Sequence, residues 1–435
     1  MKKVADKLVG RALPAALFTV FLDAVGVAIL IPLYVALVLP GPHQVIPAHW
    51  DIRDGFIMVG WLTGVYSLAT FLAAPILGQL SDKYGRKMVL GLSLVGTAIG
   101  YALFAVGVVQ KNIFLLFLSR AIDGITGGNI AVGRAIIGDV SNEKTRTRNF
   151  GLIGAMFGIG FVLGPYLGGR LSSPGIAVIN AFGHQFIHTP SWFSPATPFW
   201  FATILASLNA LLVFTLLPET LKERARHKIK WNKSLTDIKM AVTLPGIRSV
   251  IPVSFLFTIG FTFFTTFFSF TMVERIPGFT PANVADYFSL IGIWIAVFQG
   301  AVIPLLAKRF KNYQVLRFSM FGVAFAVLML LTVRSTQSAI LLSPLIPLFV
   351  AMNMANLIAL ISSVSARNIQ GEVMGINSSV EALGQAIPAV MSGYIASIHV
   401  WLPSVVSATT MVIAGIVFWI LFKPAYVKHE PDMVH

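Results

Sequence analysis

The sequence lacks cysteine and is poor in charged residues. None of its 435 residues is cysteine, and Asp, Glu, Lys and Arg together make up 11%. The absence of cysteine excludes disulfides, iron–sulfur clusters and zinc sites built on thiolates. A soluble domain carries about 25% charged residues, so an ordinary soluble protein is excluded. Because 56% of the residues are hydrophobic and 12% are aromatic, intrinsic disorder is excluded too.

Long apolar runs are abundant instead. A helix needs about 20 apolar residues to cross a bilayer core roughly 30 Å thick. The sequence predicts an all-α membrane protein with twelve such spans, which we number one to twelve in chain order: approximately 12–39, 55–79, 88–109, 112–138, 149–171, 198–218, 247–273, 283–306, 313–333, 338–361, 373–398 and 402–422. The first run is too long for a signal peptide, so we interpret it as a retained helix.

The distribution of basic residues predicts the orientation. Lys and Arg number 32 against 17 Asp and Glu, a net charge of +15. If the N-terminus is cytoplasmic and the spans alternate, 25 of the basic residues fall in cytoplasmic segments and the span ends next to them, and 5 fall on the opposite side. This bias predicts that both termini are cytoplasmic, in a bacterial inner membrane. It also explains the positive charge without a nucleic-acid partner.

The spans divide into two halves that resemble each other. Residues 78–90 after span two and 304–316 after span eight share several positions at a constant offset of 226. We predict an N-terminal six-helix bundle over 1–218, a cytoplasmic linker over 219–246 and a pseudo-symmetric C-terminal six-helix bundle over 247–435. Duplicated halves are typical of secondary transporters, whose substrate site lies between them near the midplane.

Short motifs carry a family resemblance. The run Gly78-x-Leu-Ser-Asp-x-Tyr-Gly-Arg-Lys-x-x-Leu90 resembles the cytoplasmic loop signature of the major facilitator superfamily (MFS). Glycines 154, 158, 160, 164 and 168, with Pro165, resemble the span-five signature of its drug–proton antiporters. Arg120-x3-Gly124 and Pro218-Glu219-Thr220 match two further family motifs, and Leu22-Asp23-Ala24-Val25-Gly26 is similar to the tetracycline-efflux subgroup. The resemblance covers essentially the whole chain and implies the MFS fold.

The loop motif predicts a gating network at the cytoplasmic side. Gly85 allows a tight turn between spans two and three, and Asp82 can face a helix N-terminus. The resemblance implies that Arg86 pairs with Asp139, and that this network, together with Gly78, latches the two halves in the outward-facing state. The alternative is that these charges only fix the topology.

The span-five row predicts close helix packing. Small residues at a spacing of four let helix backbones approach and slide. The row consists of Gly154, Gly158, Gly160, Gly164 and Gly168, and Pro165 is expected to bend the helix near its outer end. The resemblance associates this segment with export, although packing alone would leave the same pattern.

Five ionisable residues lie deep inside predicted spans: Asp23, Arg120, Asp123, Arg134 and Glu381. A charge at the bilayer centre costs at least about 2.5–3.5 kcal/mol, so we expect such residues to mark functional sites. The alternative is an internal salt-bridge network that only holds the helices together. Helical spacing predicts that the three on span four share one face toward the central cavity, with Arg120 and Asp123 paired. Arg134 either binds an anionic group of the substrate or pairs with Glu381 or Asp23. Asp23, Asp123 and Glu381 are candidates for the proton-coupling site, and the alternative for Asp23 is helix packing.

Other polar side chains inside spans are candidates for substrate contacts. Besides Arg120 and Arg134 they are Tyr66, Asn129, Thr262, Trp294, Gln299, Asn353, Asn356 and Gln385. Thr262 belongs to a hydroxyl stripe on span seven surrounded by phenylalanines, which suits an amphipathic organic ligand. Phenylalanines that face lipid would give the same pattern.

The sequence departs from the tetracycline exporters at two positions. Those proteins carry an acid in span three and another in span nine, where a gapless alignment places Gly100 and Val323. We therefore expect a substrate other than tetracycline. The 172–197 loop is long and apolar, and we expect it either on the outer membrane surface or over the cavity. His184 and His188 have no third ligand nearby, so no metal site is expected.

The combined expectation is a secondary active transporter that works by alternating access. Proton-coupled export, or antiport, of a small organic or amphipathic compound is the leading hypothesis. The alternatives are a proton-coupled importer or facilitator of a metabolite, organic anion or siderophore, and a lipid or glycolipid flippase. We expect no enzymatic activity, no cofactor besides the proton gradient and no nucleic acid. The expected partners are a small-molecule substrate and the lipid bilayer, around a monomer.

Overall fold

The computed structural model places helices at all twelve predicted spans. It describes residues 2–141, 143–172, 174–175, 177–181, 184–221, 247–364 and 370–424, and the single positions 224, 229, 236, 239 and 243. Among these residues, ten helical segments are long and apolar enough to cross a membrane. The remaining two, spans five and eleven, are helices of 28 and 29 residues.

The first half contains spans one to six, and two of these spans are interrupted. Their bounds are Lys2–Ala28 and Leu30–Val38 for span one, Ile52–Tyr84 for span two, Arg86–Val109 for span three, Ile113–Thr126 and Asn129–Asp139 for span four, Glu143–Arg170 for span five and Thr197–Leu216 for span six. Helices satisfy every backbone hydrogen bond internally, which lipid requires.

The second half contains spans seven to twelve, preceded by a short 3₁₀ turn at Ile247–Ser249. Span seven is Ile251–Arg275; span eight is Pro281–Val297, continued by the π-helical turn Phe298–Val302 and the helix Ile303–Ala307. Span nine is Asn312–Leu330, span ten is Thr336–Leu342 and Leu345–Val364, span eleven is Gln370–Ile398 and span twelve is Leu402–Leu421. The linker 219–246 lies mostly outside the described residues, so the predicted domain boundaries stay a prediction.

The loop between spans five and six, which the charge bias predicts to be outside, adds a feature that hydropathy does not indicate. Strands Ala177–Ala181 and His184–His188 pair antiparallel there as a hairpin. Hydropathy identifies membrane spans and does not indicate which residues of a loop between spans form hydrogen bonds with each other. His184 and His188 are the first and last residues of the second strand, and the described residues hold no group of three metal-ligating side chains.

The two halves contact each other closely at one end, which the charge bias predicts to be the outer end. Span two packs on span eleven, and span five packs on span eight. A Cβ added to Gly60 would lie 3.0 Å from the Gly393 Cα, and the Trp61 indole donates to the Tyr394 hydroxyl at 3.1 Å. The Ser269 hydroxyl also donates to the Ile31 carbonyl at 3.1 Å. The outer part of the interface is therefore closed.

The buried apolar side chains that the structure describes form three clusters. One lies mainly in the second half, and another lies in the inner part of the first half. The third belongs to the outer part of the first half and takes in Phe267 and Phe270 from span seven. Both rings pack edge-on against Phe56, with centroids 5.8 and 5.2 Å away. Among the described residues, the cluster that takes in buried side chains from both halves is thus the one toward the outer end.

Candidate transport site

A cluster of polar side chains lies inside the first half, between spans one, two, three and four. We call it the buried polar cluster; its members are Asp23, Tyr66, Tyr101, Arg120, Asp123 and Asn129. All are buried except Tyr66, which is half-buried. Gly124 lets spans two and four approach closely beside this cluster, because a Cβ at this position would collide with the Tyr66 backbone.

Arg120 and Asp123 form the predicted ion pair within span four. Arg120 Nη1 lies 3.1 Å from Asp123 Oδ2, and the two side chains are 1% and 5% exposed. The guanidinium also lies over two aromatic rings, 4.8 Å from the Phe104 centroid and 5.8 Å from that of Tyr66. Electron-rich ring faces stabilise a desolvated cation. Arg120 Nε and Nη2 have no hydrogen-bond partner in the described part of the chain.

Asp23 has a partner but no counter-charge. The Asn129 amide donates to Asp23 Oδ1 at 3.1 Å, whereas Asp23 Oδ2 is buried without a hydrogen-bond partner among the described residues. Asp23 makes no ion pair within 4.0 Å in that same part of the chain. The buried polar cluster thus contains two carboxyl groups and one guanidinium.

Span three contributes a tyrosine and a glycine to this cluster. The Tyr101 hydroxyl occupies the space that a side chain at Gly26 would need. Gly100 faces span four, and a Cβ there would lie 3.0 Å from the Asp123 Cβ. Asp123 therefore fills the space in front of the position at which the tetracycline exporters are expected to carry their span-three acid.

Arg134 reaches from the first half to the second. Its Nη1 donates to the Ser378 hydroxyl on span eleven. One helical turn from Ser378, Glu381 accepts from the Asn377 amide at 2.7 Å. Arg134 and Glu381 are both half-buried. Neither of the two predicted ion pairs of Arg134, with Glu381 or with Asp23, is present within 4.0 Å.

The predicted common face of span four is wrong in this structure. Arg120 and Asp123 pack against spans two and three, whereas Arg134 contacts span eleven. The reason is the interruption between Thr126 and Asn129, which divides span four into two helices. Both members of the Arg120–Asp123 pair are buried, so they do not line an open cavity.

Three of the predicted substrate contacts bond to their own helices. The buried Thr262 hydroxyl donates to the Thr258 carbonyl at 2.8 Å. The amides of Asn353 and Asn356 on span ten donate in the same way to carbonyls one turn back, at 2.8 and 2.7 Å. These bonds satisfy the donors locally, and Asn353 Oδ1 remains buried without a partner in the described region.

The other candidates on spans eight and eleven lie within the second half, where they are half-buried or exposed. The Trp294 indole donates to the Ser343 hydroxyl at 3.1 Å and stacks on Phe298, with centroids 5.5 Å apart. Gln299 is half-buried within the π-helical turn, a feature that is frequent at functional sites. Gln385 is exposed. The structure therefore does not bring these residues together with the buried polar cluster.

The inner network assembles around Arg86, as the resemblance implied. Arg86 Nη1 lies 2.6 Å from Asp82 Oδ1 and also donates to the Ser81 hydroxyl, while Arg86 Nε lies 3.1 Å from Asp139 Oδ2. The Thr220 hydroxyl donates to the same Asp139 oxygen at 3.1 Å. These partners belong to the first half or, for Thr220, to the start of the linker, and none of those described lies in the second half, so the predicted latch between the halves stays a prediction.

Glu219 completes this network at the start of span three. Its carboxylate accepts the backbone N–H groups of Arg86, at 3.0 Å, and Lys87, at 3.3 Å. Gly85 has a φ of 108°, and a side chain there would collide with the Glu219 carboxylate. The negative charge thus lies at the positive end of the helix dipole. Gly78 has open space around its Cα.

The glycine row of span five packs on span one. A Cβ at Gly160 would lie 2.6 Å from the Ala24 Cβ, and one at Gly164 would lie 2.7 Å from the Ala28 Cβ. Gly168 approaches the Ile29 carbonyl, next to the interruption of span one. Pro165 is buried within the helix, Gly158 has open space around it, and the surroundings of Gly154 lie outside the described residues.

Two further charged residues inside predicted spans, which we did not predict to be functional, make notable contacts. Asp286 on span eight lies 2.6 Å from Arg170 on span five, an ion pair that joins the two halves at the outer end. Arg317 on span nine lies between two aromatic rings. The signal for both was available, since each is an ionisable residue within the bounds predicted for a span. The part played by Tyr101 had no such signal.

Comparison with known proteins supports the same architecture. The family model described as Major Facilitator Superfamily matches residues 15–387. The chain belongs to the major facilitator superfamily. The human organic anion transporter MFSD10 (TETRAN) superposes with a TM-score of 0.70 at 22% identity, covering 94% of this chain and 99% of that one. At that identity the likeness shows the MFS fold.

Two curated relatives are resistance proteins. The chain is 34% identical over 251 residues to the class C tetracycline resistance protein of Escherichia coli, which is 55% of this chain and 56% of that protein. It is 26% identical to multidrug resistance protein 1 of Bacillus subtilis (strain 168), over 85% of this chain and 88% of that protein. The match with the first relative thus spans just over half of its length.

Proposed function

We propose that this MFS protein exports a small organic or amphipathic compound in exchange for protons. The observation that carries the proposal is the buried polar cluster, which holds two carboxyl groups but one guanidinium, and that guanidinium pairs with Asp123 and not with Asp23. The names of the relatives, which refer to tetracycline and multidrug resistance, support the direction and the substrate class.

The charge balance of the cluster supports proton exchange at Asp23. Arg120 and Asp123 neutralise each other, so an ionised Asp23 leaves one uncompensated negative charge away from water. Such a charge costs at least about 2.5–3.5 kcal/mol, and binding one proton removes it. The free Asp23 Oδ2 is the atom that receives this proton. The cluster therefore has two charge states whose relative stability depends on access to water.

Asp123 resembles the span-three acid of the tetracycline exporters in its location but differs from it in the span that carries it. It occupies the space in front of Gly100, so an acid is retained in this region but comes from span four instead of span three. Because this carboxyl is already paired with Arg120, it is not available to a cationic substrate in the closed state. We propose that the substrate differs from tetracycline.

We propose that Arg134 and Glu381 are the two charged residues that contact the substrate. They lie at the interface between the halves, they are half-buried, and Arg134 is bonded only to an uncharged hydroxyl among its described partners. Separation of spans four and eleven frees the guanidinium, which can then contact the substrate or Glu381. Alternating access thus changes the partners of these two charges.

The remaining features of the proposal follow from the sequence. Both termini face the cytoplasm of a bacterial inner membrane, because the basic residues concentrate on that side. The chain acts as a monomer, requires no cofactor besides the proton gradient and has no catalytic activity.

The test is proton-coupled flux in proteoliposomes of the full chain. With a pH-sensitive dye inside and ethidium, a tetracycline and a quinolone as probes, wild type is expected to move at least one probe opposite to the proton flow. Asp23→Asn, Asp123→Asn and Glu381→Gln remove one candidate each, and Glu274→Gln is the matched control, since Glu274 is an exposed acid at the outer end of span seven. We expect Asp23→Asn to lose gradient-driven flux and the control Glu274→Gln to keep it.

Two results would contradict the proposal. Probe movement in the same direction as the protons would make the protein a symporter. Full proton-driven flux in Asp23→Asn would exclude Asp23 as the coupling site, and the same result for the other two variants would exclude them in turn.

A further inference from the structure

Arg317 is held between two aromatic rings at the inner end of the second half. Its guanidinium carbon lies 4.9 Å from the centroid of Trp419 on span twelve and 5.6 Å from that of Tyr313 on span nine. The Trp419 indole donates to the Arg317 carbonyl at 3.1 Å, which fixes the ring beside the side chain. Stacking on aromatic faces orients a guanidinium without neutralising it.

This guanidinium has no acidic partner in the described part of the chain. Arg86, Arg120 and Arg170 each lie within 3.1 Å of an aspartate oxygen. Arg317 makes no ion pair within 4.0 Å among the described residues, and its buried Nε has no hydrogen-bond partner there. The side chain is half-buried, so part of the guanidinium remains accessible. A fixed, unneutralised cation is therefore left at this position.

The position corresponds to the depth of lipid headgroups. Span nine begins at Asn312, and five residues of helix rise about 7.5 Å, a distance that a long arginine side chain can cover toward the interface. The preceding loop contains Lys308, Arg309 and Lys311, all exposed. By the charge bias this loop is cytoplasmic, and the cytoplasmic leaflet carries anionic lipid.

The surface beside Arg317 is apolar. Phe318 is 68% exposed and Trp419 is 49% exposed, and the two rings meet edge to face with centroids 6.2 Å apart. Exposed aromatic rings at a helix end are typical of the membrane interface. Acyl chains can pack on these rings while a headgroup lies at the guanidinium.

We propose that Arg317, framed by Tyr313, Phe318 and Trp419, binds the phosphate of an anionic phospholipid at the inner end of spans nine and twelve. The planar guanidinium offers a pair of N–H donors that matches two phosphate oxygens. A zwitterionic lipid carries its own ammonium group beside the phosphate, so it gains less from this cation. The site is separate from the buried polar cluster, and its existence does not depend on the transport direction or on the substrate.

The test is native mass spectrometry of the purified full chain with added phosphatidylglycerol or phosphatidylcholine. Wild type is expected to retain one phosphatidylglycerol more tightly than phosphatidylcholine. One basic residue near a membrane surface contributes about 1 kcal/mol toward anionic lipid, so Arg317→Gln should weaken this retention about fivefold. Arg248→Gln is the matched control, because Arg248 is an exposed arginine just before span seven.

Further variants keep the outcome decisive. Arg317→Lys keeps the charge but loses the planar fork, so it should retain less phosphatidylglycerol than wild type even if Arg317→Gln does not fold. An equal loss in Arg248→Gln, or equal retention of the two lipids by wild type, would overturn the proposal. Displacement of phosphatidylglycerol by millimolar inorganic phosphate would show a site for soluble phosphate instead, and would also overturn it.

Discussion

The ion pair between Arg170 and Asp286 should hold the outer ends of the two halves together. Arg170 Nη2 lies 2.6 Å from Asp286 Oδ1 and connects span five to span eight. Alternating access requires these ends to separate, so the ion pair has to break in every transport cycle. Asp286→Asn removes its charge while keeping the side-chain size. We expect the variant to populate the outward-open state more than wild type.

The size of this effect follows from the exposure of the pair. The Arg170 side chain is 17% exposed and that of Asp286 is 45% exposed, so water screens the attraction. Partly exposed ion pairs contribute about 0.2–1 kcal/mol. The upper part of that range corresponds to a two- to about fivefold change in the ratio of outward-open to outward-closed molecules. A larger shift would mean that other outer contacts fail together with the pair.

The assay can use the chain without removing any native thiol, because it contains no cysteine. Val109 and Leu341, which are 66% and 78% exposed, lie at the outer ends of spans three and ten. Spin labels on cysteines at these two positions report the distance between the halves by pulsed electron paramagnetic resonance. Asp286→Asn is expected to increase the long-distance population.

The control is Glu274→Gln, which removes one negative charge from the same end of the molecule. Glu274 is exposed and makes no ion pair within 4.0 Å in the described residues. If both variants shift the distances equally, the effect comes from net charge and the reasoning is refuted. Unchanged distances in Asp286→Asn would refute it as well.

Other predictions concern the inner network and the helix contacts. Glu219→Ala should lower the stability of the first half by about 0.5–2 kcal/mol, because the N-terminus of span three loses its cap; an unchanged melting temperature would argue against this capping. Gly85→Ala should cost more than Glu219→Ala in the same melting assay, since it adds backbone strain and displaces the carboxylate. Gly26→Ala should lower the free energy of unfolding by about 1–3 kcal/mol, because the new methyl group displaces the Tyr101 hydroxyl. The double variant with Tyr101→Phe should recover part of this loss, and no recovery would contradict the contact. Arg134→Ala should increase the separation of spans four and eleven in a labelled pair at the inner end, and unchanged distances would show that its bond to span eleven is dispensable.

Much of the site was predictable where partners are close in sequence or belong to a family motif. The Arg120–Asp123 pair follows from a spacing of three on one helix, and the network of Arg86 with Asp139 follows from a motif shared across the family. In contrast, the partner of Arg134 is Ser378, which is 244 residues away, and no local pattern indicates it. The interruption in span four also changed which residues share a face, because a helical wheel assumes an unbroken helix.

The sequence by itself determined the twelve spans, because the cost of placing polar backbone and side chains in lipid acts on each stretch separately. It also determined that charges such as Asp23 are embedded, since their position within an apolar run is a local property. Only the tertiary structure decided which charges are neutralised, because neutralisation depends on distances of a few ångströms between helices that the sequence does not order in space. For that reason Asp23 received only the Asn129 amide as a partner, and Asp286 pairs with Arg170 across the two halves.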